Sequence, residues 1–292
     1  SGAITVNAGV LQAGSATAFG AGTISVIAGA AIDLAGQTMS GTGALTLRGT
    51  GINLAGALMN SSSIAATYAG LVTLGAATSI IGGTGRITLS NTGTITGAGF
   101  GLTLGGALGG TIASIIGTTT GTLTKQDSGS WTLSGVNTFS GGSTLYAGII
   151  KMGNARGLGT GAITVNSGAS LDLSGQAVTS TGSLTLNGTG ISSSGALMNS
   201  STSTGTYAGS VVLASAASIK GNTGLIALTN ASLSGNFTLT LDGSAGGSIA
   251  GVISSTAASG VIKQGIDGVD SPGLRQCTHF STAINTNCIR KL

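Results

Sequence analysis

Ile32-Asp33-Leu34-Ala35-Gly36-Gln37 returns as Leu171-Asp172-Leu173-Ser174-Gly175-Gln176, at an offset of 139. Gly56-Ala57-Leu58-Met59-Asn60-Ser61 returns at the same offset as Gly195-Ala196-Leu197-Met198-Asn199-Ser200. Thr67-Tyr68-Ala69-Gly70 and Thr206-Tyr207-Ala208-Gly209 keep the register, which then slips by one or two residues: Leu102-Thr103-Leu104 matches Leu239-Thr240-Leu241, and Lys125-Gln126 matches Lys263-Gln264. Small slips belong in turns, so the pattern is an internal duplication with adjustable corners. A finer period lies inside it. Gly2 to Gly9 (GAITVNAG) resembles Gly22 to Gly29 (GTISVIAG), twenty residues on, which is about one coil of a solenoid.

The local pattern agrees. Ala44-Leu45-Thr46-Leu47, Arg86-Ile87-Thr88-Leu89, Gly121-Thr122-Leu123-Thr124 and Ser183-Leu184-Thr185-Leu186 alternate apolar residues with hydroxyl residues, the period of a strand with one buried face. No segment carries a capped apolar stripe at helical spacing, so helices should be scarce. A single coil cannot bury its apolar face. Coils stacked about 4.8 Å apart share a dry interior and satisfy the backbone through parallel ladders. The chain is therefore read as all-β, a β-solenoid of about a dozen coils and on the order of 50 to 60 Å long. Residues 1–264 form the solenoid, with copies at about 1–139 and 140–264. Residues 265–292 form an atypical tail or cap, because Pro272, Cys277, His279 and Cys288 belong to residue types absent from the first 264 positions.

Composition supports this reading and excludes others. Only 5% of the 292 residues are charged, while 41% are hydrophobic, the reverse of a disordered chain. Glycine is abundant, but one proline and no strict three-residue period exclude collagen. Aromatics are 3% of the chain, so the core must be packed from Ile, Leu, Val, Ala and Thr. The net charge of +4 is spread over Arg48, Arg86, Lys125, Lys151, Arg156, Lys220 and Lys263. A nucleic-acid binder would cluster such residues among stacking aromatics, so no nucleic-acid partner is expected. Gly99 to Gly117 is uncharged and nearly long enough to span a bilayer, but Gly and Thr interrupt its apolar residues, giving strands and turns rather than a transmembrane segment. No signal-peptide pattern opens the chain at Ser1.

The string WTLSGVNTFSGGST, Trp131 to Thr144, followed by GNARGLGTGAITVNSGASLDLSG, Gly153 to Gly175, resembles the autotransporter-associated β-strand repeat of Gram-negative passenger domains. Degenerate cassettes of this kind cover most of residues 1–264. The resemblance implies a right-handed parallel β-helix exported across the outer membrane, displayed on the cell or released, and acting as an adhesin, a biofilm component or a stalk. The chain departs from that pattern from Gly265 onward and contains no recognisable translocator barrel.

Candidate chemistry is sparse. The single histidine, His279, lies in the aberrant tail, without the partners a Ser-His-acid hydrolase needs. There is no Glu, and Asp33, Asp127, Asp172 and Asp242 are far apart in sequence. Asp33 and Asp172 are copies of one position, which reads as a repeated turn or surface site rather than a glycosidase dyad. Acids are too few for calcium-binding nonapeptides, and Cys277, Cys288 and His279 fall short of a zinc set. A disulfide between Cys277 and Cys288 and two free thiols are both open. Tyr68, Trp131 and Tyr207, with Tyr146, offer a carbohydrate- or receptor-binding stripe, against the competing reading that they fill gaps at coil ends. Thr-x-Thr strings raise an ice-binding face, but the threonines show no single sustained register. No cofactor or metal is expected.

The expectation is a non-catalytic extracellular rod for display, attachment or self-association. Its partners would be further copies end to end, or host-surface or matrix glycans and proteins. A specific glycan- or receptor-binding module is the alternative, and a cryptic β-helix hydrolase the third reading.

Overall fold

The computed structural model describes residues 2–41, 43–179, 182–229, 232–254, 260–265 and 269–270. They form an all-β parallel solenoid of about 12 turns. Two three-residue 3-10 turns, Ile52–Leu54 and Ile191–Ser193, interrupt the strands, and there is no α-helix among the described residues. The chain divides into two compact units, Ser1–Gly161 and Ala162–Leu292.

In the first unit, successive coils lay short strands onto three parallel ladders. The first ladder joins Ile4–Val6, Ile24–Val26, Leu45–Gly49 and the start of Val72–Gly82. The second runs through Gly9–Gln12, Ala30–Asp33, Leu58–Asn60, the end of Val72–Gly82, Leu102–Gly105, Leu123–Lys125 and Ser143–Leu145. The third stacks Thr38–Met39, Ala66–Tyr68, Ile87–Leu89, Gly109–Ile112, Ser130–Leu133 and Gly148–Met152. The alternation legible in the sequence explains the burial. In Ile87-Thr88-Leu89 the two aliphatic residues are fully buried and the threonine is half-exposed. Like residues stack on like, as in Met39, Tyr68, Leu89, Ile112 and Leu133 on the interior of the third ladder. Each coil thus buries its apolar side chains against the coils on either side.

The second unit repeats the plan. Ile163–Val165, Leu184–Gly188, the start of Val211–Gly221, Leu233–Ser234 and Ile253–Ser254 form one ladder. Ala169–Asp172, Leu197–Asn199, the end of Val211–Gly221, Leu239–Asp242 and Val261–Lys263 form another. The third is Ala177–Val178, Gly205–Tyr207, Ile226–Leu228, Gly247–Ile249 and Val269–Asp270. The duplication extends to the corners. Ala35-Gly36 turns with φ of 47° and 79°, and Ser174-Gly175 with 48° and 74°, a left-handed pair that costs a non-glycine residue roughly 1 kcal/mol or more.

Interior space is matched residue by residue. Gly110 lies under Trp131 in the ladder, and a Cβ there would meet the indole Cζ3 at 2.9 Å and the Ile87 carbonyl oxygen at 2.0 Å. The position must be glycine for the largest side chain in the chain to fit.

Candidate functional site

The aromatic residues expected as a binding stripe are not at the surface. Tyr68, Trp131 and Tyr207 are each 0% exposed. Period two explains the direction, because Thr67, Thr132 and Thr206 point outward and their neighbours must point in. Each ring then satisfies its polar handle internally: Tyr68 Oη donates to the Gly43 carbonyl at 2.8 Å, Tyr207 Oη to Gly182 at 3.0 Å, and Trp131 Nε1 to Gly105 at 2.9 Å. Burial pushes the Tyr207 hydroxyl up to about 12. None of the three can present a ring face to a ligand, so a binding stripe does not run through them. Tyr146, at 59% exposure, stands at the surface. Cys277, Cys288 and His279 lie outside the described residues.

Asp33 and Asp172 are neither turn nor surface residues: each ends a strand, Ala30–Asp33 and Ala169–Asp172, beside the turn that follows, and each is 2% exposed. Asp33 accepts from Ser61 Oγ at 2.6 Å, Gln12 Nε2 at 2.8 Å, Ala35 N at 2.9 Å and Ser61 N at 3.0 Å. Burial raises its pKa, but those hydrogen bonds, led by the Ser61 hydroxyl, outweigh it and hold the carboxyl below its ordinary value. Asp172 repeats the geometry, accepting from Ser200 Oγ at 2.5 Å, Ser174 N at 2.9 Å and Ser200 N at 3.0 Å. Such a carboxylate has its acceptor capacity engaged in closing the corner. The adjoining asparagines were not foreseen, although the repeated Met-Asn-Ser strings mark them. Asn60 accepts from Gly36 N and Ser62 N and donates to the carbonyls of Ile64 and Arg86. Asn199 accepts from Gly175 N and Ser201 N and donates to Ser203 and Leu225.

The other two aspartates serve separate places. Asp127 Oδ2 accepts from Gly106 N at 2.8 Å. Asp242 pairs with Lys220 at 2.7 Å, and its hydrogen bonds from Lys220 and Gly243 hold it below the usual carboxylate range. Among the described residues no three His, Cys, Asp or Glu side chains converge as metal ligands. A void in the second unit, lined by Ile219, Ile226, Leu228, Leu241 and Ile249 among others, has room for about one water molecule. No helix among the described residues is long and apolar enough to cross a membrane.

What the first unit does present outward is ordered hydroxyl. Thr38, Thr67, Thr88, Thr111 and Thr132 are register partners on five successive strands of the third ladder, continued by Lys151. Beside them, ladder bonds align Ser40, Ala69, Ser90, Ala113 and Ser134. Thr103, Thr124 and Thr144 align on the second ladder. Ser25, Thr46, Thr73 and Thr96 align on the first, with the hydroxyls of Thr73 and Thr96 hydrogen-bonded at 3.2 Å. This corrects the expectation that the threonines lack a sustained register. In the second unit the corresponding third-ladder column is Ala177, Thr206, Ala227 and Ser248, so the array is broken there.

Residues 123–151 match the passenger-associated-transport-repeat family. The matched stretch contains Lys125, Trp131, Asn137, Phe139 and Leu145, all buried. Asn137 bridges coils, accepting from Ile116 N at 2.7 Å and donating to the Gly157 carbonyl at 2.6 Å. No curated protein and no solved structure matches the chain.

Proposed function

We propose that this chain, whose repeat match and parallel solenoid fit an autotransporter passenger domain with β-strand repeats, is a non-catalytic passenger working through display and weak contacts repeated from coil to coil. The family implies secretion or surface display in Gram-negative bacteria. The observation that carries the reading is the outward column Thr38, Thr67, Thr88, Thr111 and Thr132. Each threonine offers a hydroxyl and a methyl at a spacing of about 4.8 Å. A row of neutral groups of this kind suits neutral glycans of a host surface or matrix, where each contact is weak and the sum is set by how many engage at once. End-to-end association of copies belongs to the same proposal and would appear as a concentration-dependent mass in sedimentation.

The test is retention on immobilised neutral glycans. The double variant Thr88→Glu/Thr111→Glu should fold and lose at least about tenfold in retention, because two carboxylates replace adjacent hydroxyls in the column. Retention equal to the parent would overturn the reading that the threonine column carries the glycan contacts. Glycan hydrolysis abolished by a single substitution at Asp33, Asp127, Asp172 or Asp242 would overturn the non-catalytic one. The exposed Tyr146 favours a second reading, a discrete glycan site of the lectin type. Saturable binding lost in Tyr146→Ala but kept in the threonine variant would select it.

A further inference from the structure

One strand differs between its two copies in a patterned way. Arg86-Ile87-Thr88-Leu89 in the first unit corresponds, at the offset of 139, to Leu225-Ile226-Ala227-Leu228 in the second. The inward pair is the same in both, and Ile87, Leu89, Ile226 and Leu228 are all buried. Both outward residues change, arginine to leucine and threonine to alanine. The backbone at the first of them is held alike in the two units. The Arg86 carbonyl accepts from Ala66 N at 2.8 Å and Asn60 Nδ2 at 3.1 Å, and the Leu225 carbonyl accepts from Gly205 N at 2.9 Å and Asn199 Nδ2 at 2.8 Å. That clamp acts on the main chain, so a leucine serves it as well as an arginine does.

The arginine side chain is therefore not spent on the coil. Arg86 is exposed, two residues before Thr88 on the outward side of the third ladder, a separation of about 6.6 Å along a strand. Ile87 has Ala66 and Gly110 as register partners, which sets Ala65 and Gly109, an alanine and a glycine, on either side of Arg86. Four carboxylates among the described residues are engaged elsewhere: Asp33 by Ser61, Asp127 by Gly106, Asp172 by Ser200 and Asp242 by Lys220. The guanidinium thus stands beside the column Thr38, Thr67, Thr88, Thr111 and Thr132. Leucine takes its place in the unit where alanine breaks that column. A planar guanidinium forks onto both oxygens of a carboxylate, and threonine hydroxyls beside it both donate to and accept from sugar hydroxyls.

We propose that Arg86, with Thr88, makes the column of the first unit selective for glycans that carry a carboxylate sugar, an inference that rests on the reading that the column holds glycans. The full chain is passed over an immobilised polymer of glucuronic acid and N-acetylglucosamine, and over the same polymer with its carboxyls reduced to alcohols. Salt at about 0.15 M screens the long-range attraction of a basic chain for a polyanion. The parent should be retained at least about tenfold more strongly on the acidic polymer, as a forked, charge-assisted contact requires. Arg86→Leu, which installs the residue of the second copy, should keep its strand content and bring the two polymers within about twofold of each other. Arg156→Leu removes an equal charge from another exposed position and should leave the preference intact. Equal retention of the parent on both polymers would overturn the proposal while leaving the column reading in place. An Arg156→Leu loss as large as that of Arg86→Leu would overturn it as well, since net charge alone would then account for the preference. Retention on neither polymer would remove the column reading and this one with it. Should Arg86→Leu fail to fold, Arg86→Gln carries the same comparison. Failure of both to fold would count against the proposal, because the side chain would then belong to the coil.

Discussion

Asp33 shows how single residues hold a corner that hydrophobic burial cannot. Four donors from three segments converge on its carboxylate, and an alanine would leave several of them buried and unpaired. Asp33→Ala should therefore cost about 3 kcal/mol in a denaturant titration, with Ser61→Ala costing about 1. Because its folded pKa is depressed, the stabilisation is present above the ordinary value of 3.8 and is lost as pH falls through the lower folded value. Lys125 gives the complementary case. Burial lowers it from 10.5 to about 8, with the charge of Asp127 working in the opposite direction. Between those values the unfolded chain binds more protons than the folded one, so stability should rise with pH, by on the order of 3 kcal/mol over the full window. Unfolding midpoints from pH 8 to 9.5 read this slope below the range where tyrosine titrates, and Lys125→Met should flatten it. At this scale the sequence told less than it could have. Asp33 was legible as a repeated position, but its place at a strand end and its burial depend on Gln12 and Ser61 from neighbouring coils. The inward direction of Tyr68 was already implied by Thr67 beside it.

At the scale of strands and turns, the ladders keep register while the corners take up differences in length. The loop from Thr38 round to Thr67 is longer than those from Thr67 to Thr88, Thr88 to Thr111 and Thr111 to Thr132, and these last are not equal either. That irregularity hides the threonine column from any fixed-period reading, whereas strand identity survives because alternation is local. Glycine roles divide in the same way. Gly110 lies against the Ile87 backbone and the Trp131 ring, while a Cβ at Gly14 would meet nothing within 4 Å. Gly110→Ala should destabilise the first unit by more than about 2 kcal/mol, and Gly14→Ala should change it by less than about 0.5. Thermal denaturation of the two variants side by side checks the contrast. Equal effects would mean that the packing of Gly110 under Trp131 does not matter to stability.

Across the chain, the sequence made the architecture legible because a solenoid is specified by repetition: the same strand, turn and corner chemistry recurs at one constant offset in Asp33 and Asp172, Asn60 and Asn199, and Tyr68 and Tyr207. The surface was less legible, since no repeat distinguishes a residue kept for stacking from one kept for contact. The two units differ there. The first carries an unbroken threonine column, and in the second alanine interrupts it. The glycan-retention experiment therefore belongs to the first unit, and Thr206→Glu in the second should leave retention within about twofold of the parent.

The parallel stack itself is tested most directly by electron paramagnetic resonance between spin labels on one column. A label at position 67 would be paired in turn with labels at 88, 111 and 132, in a chain with Cys277 and Cys288 replaced by serine. In-register coils predict separations that grow by about 4.8 Å with each step. Separations that fail to increase with coil number would contradict the stacked solenoid.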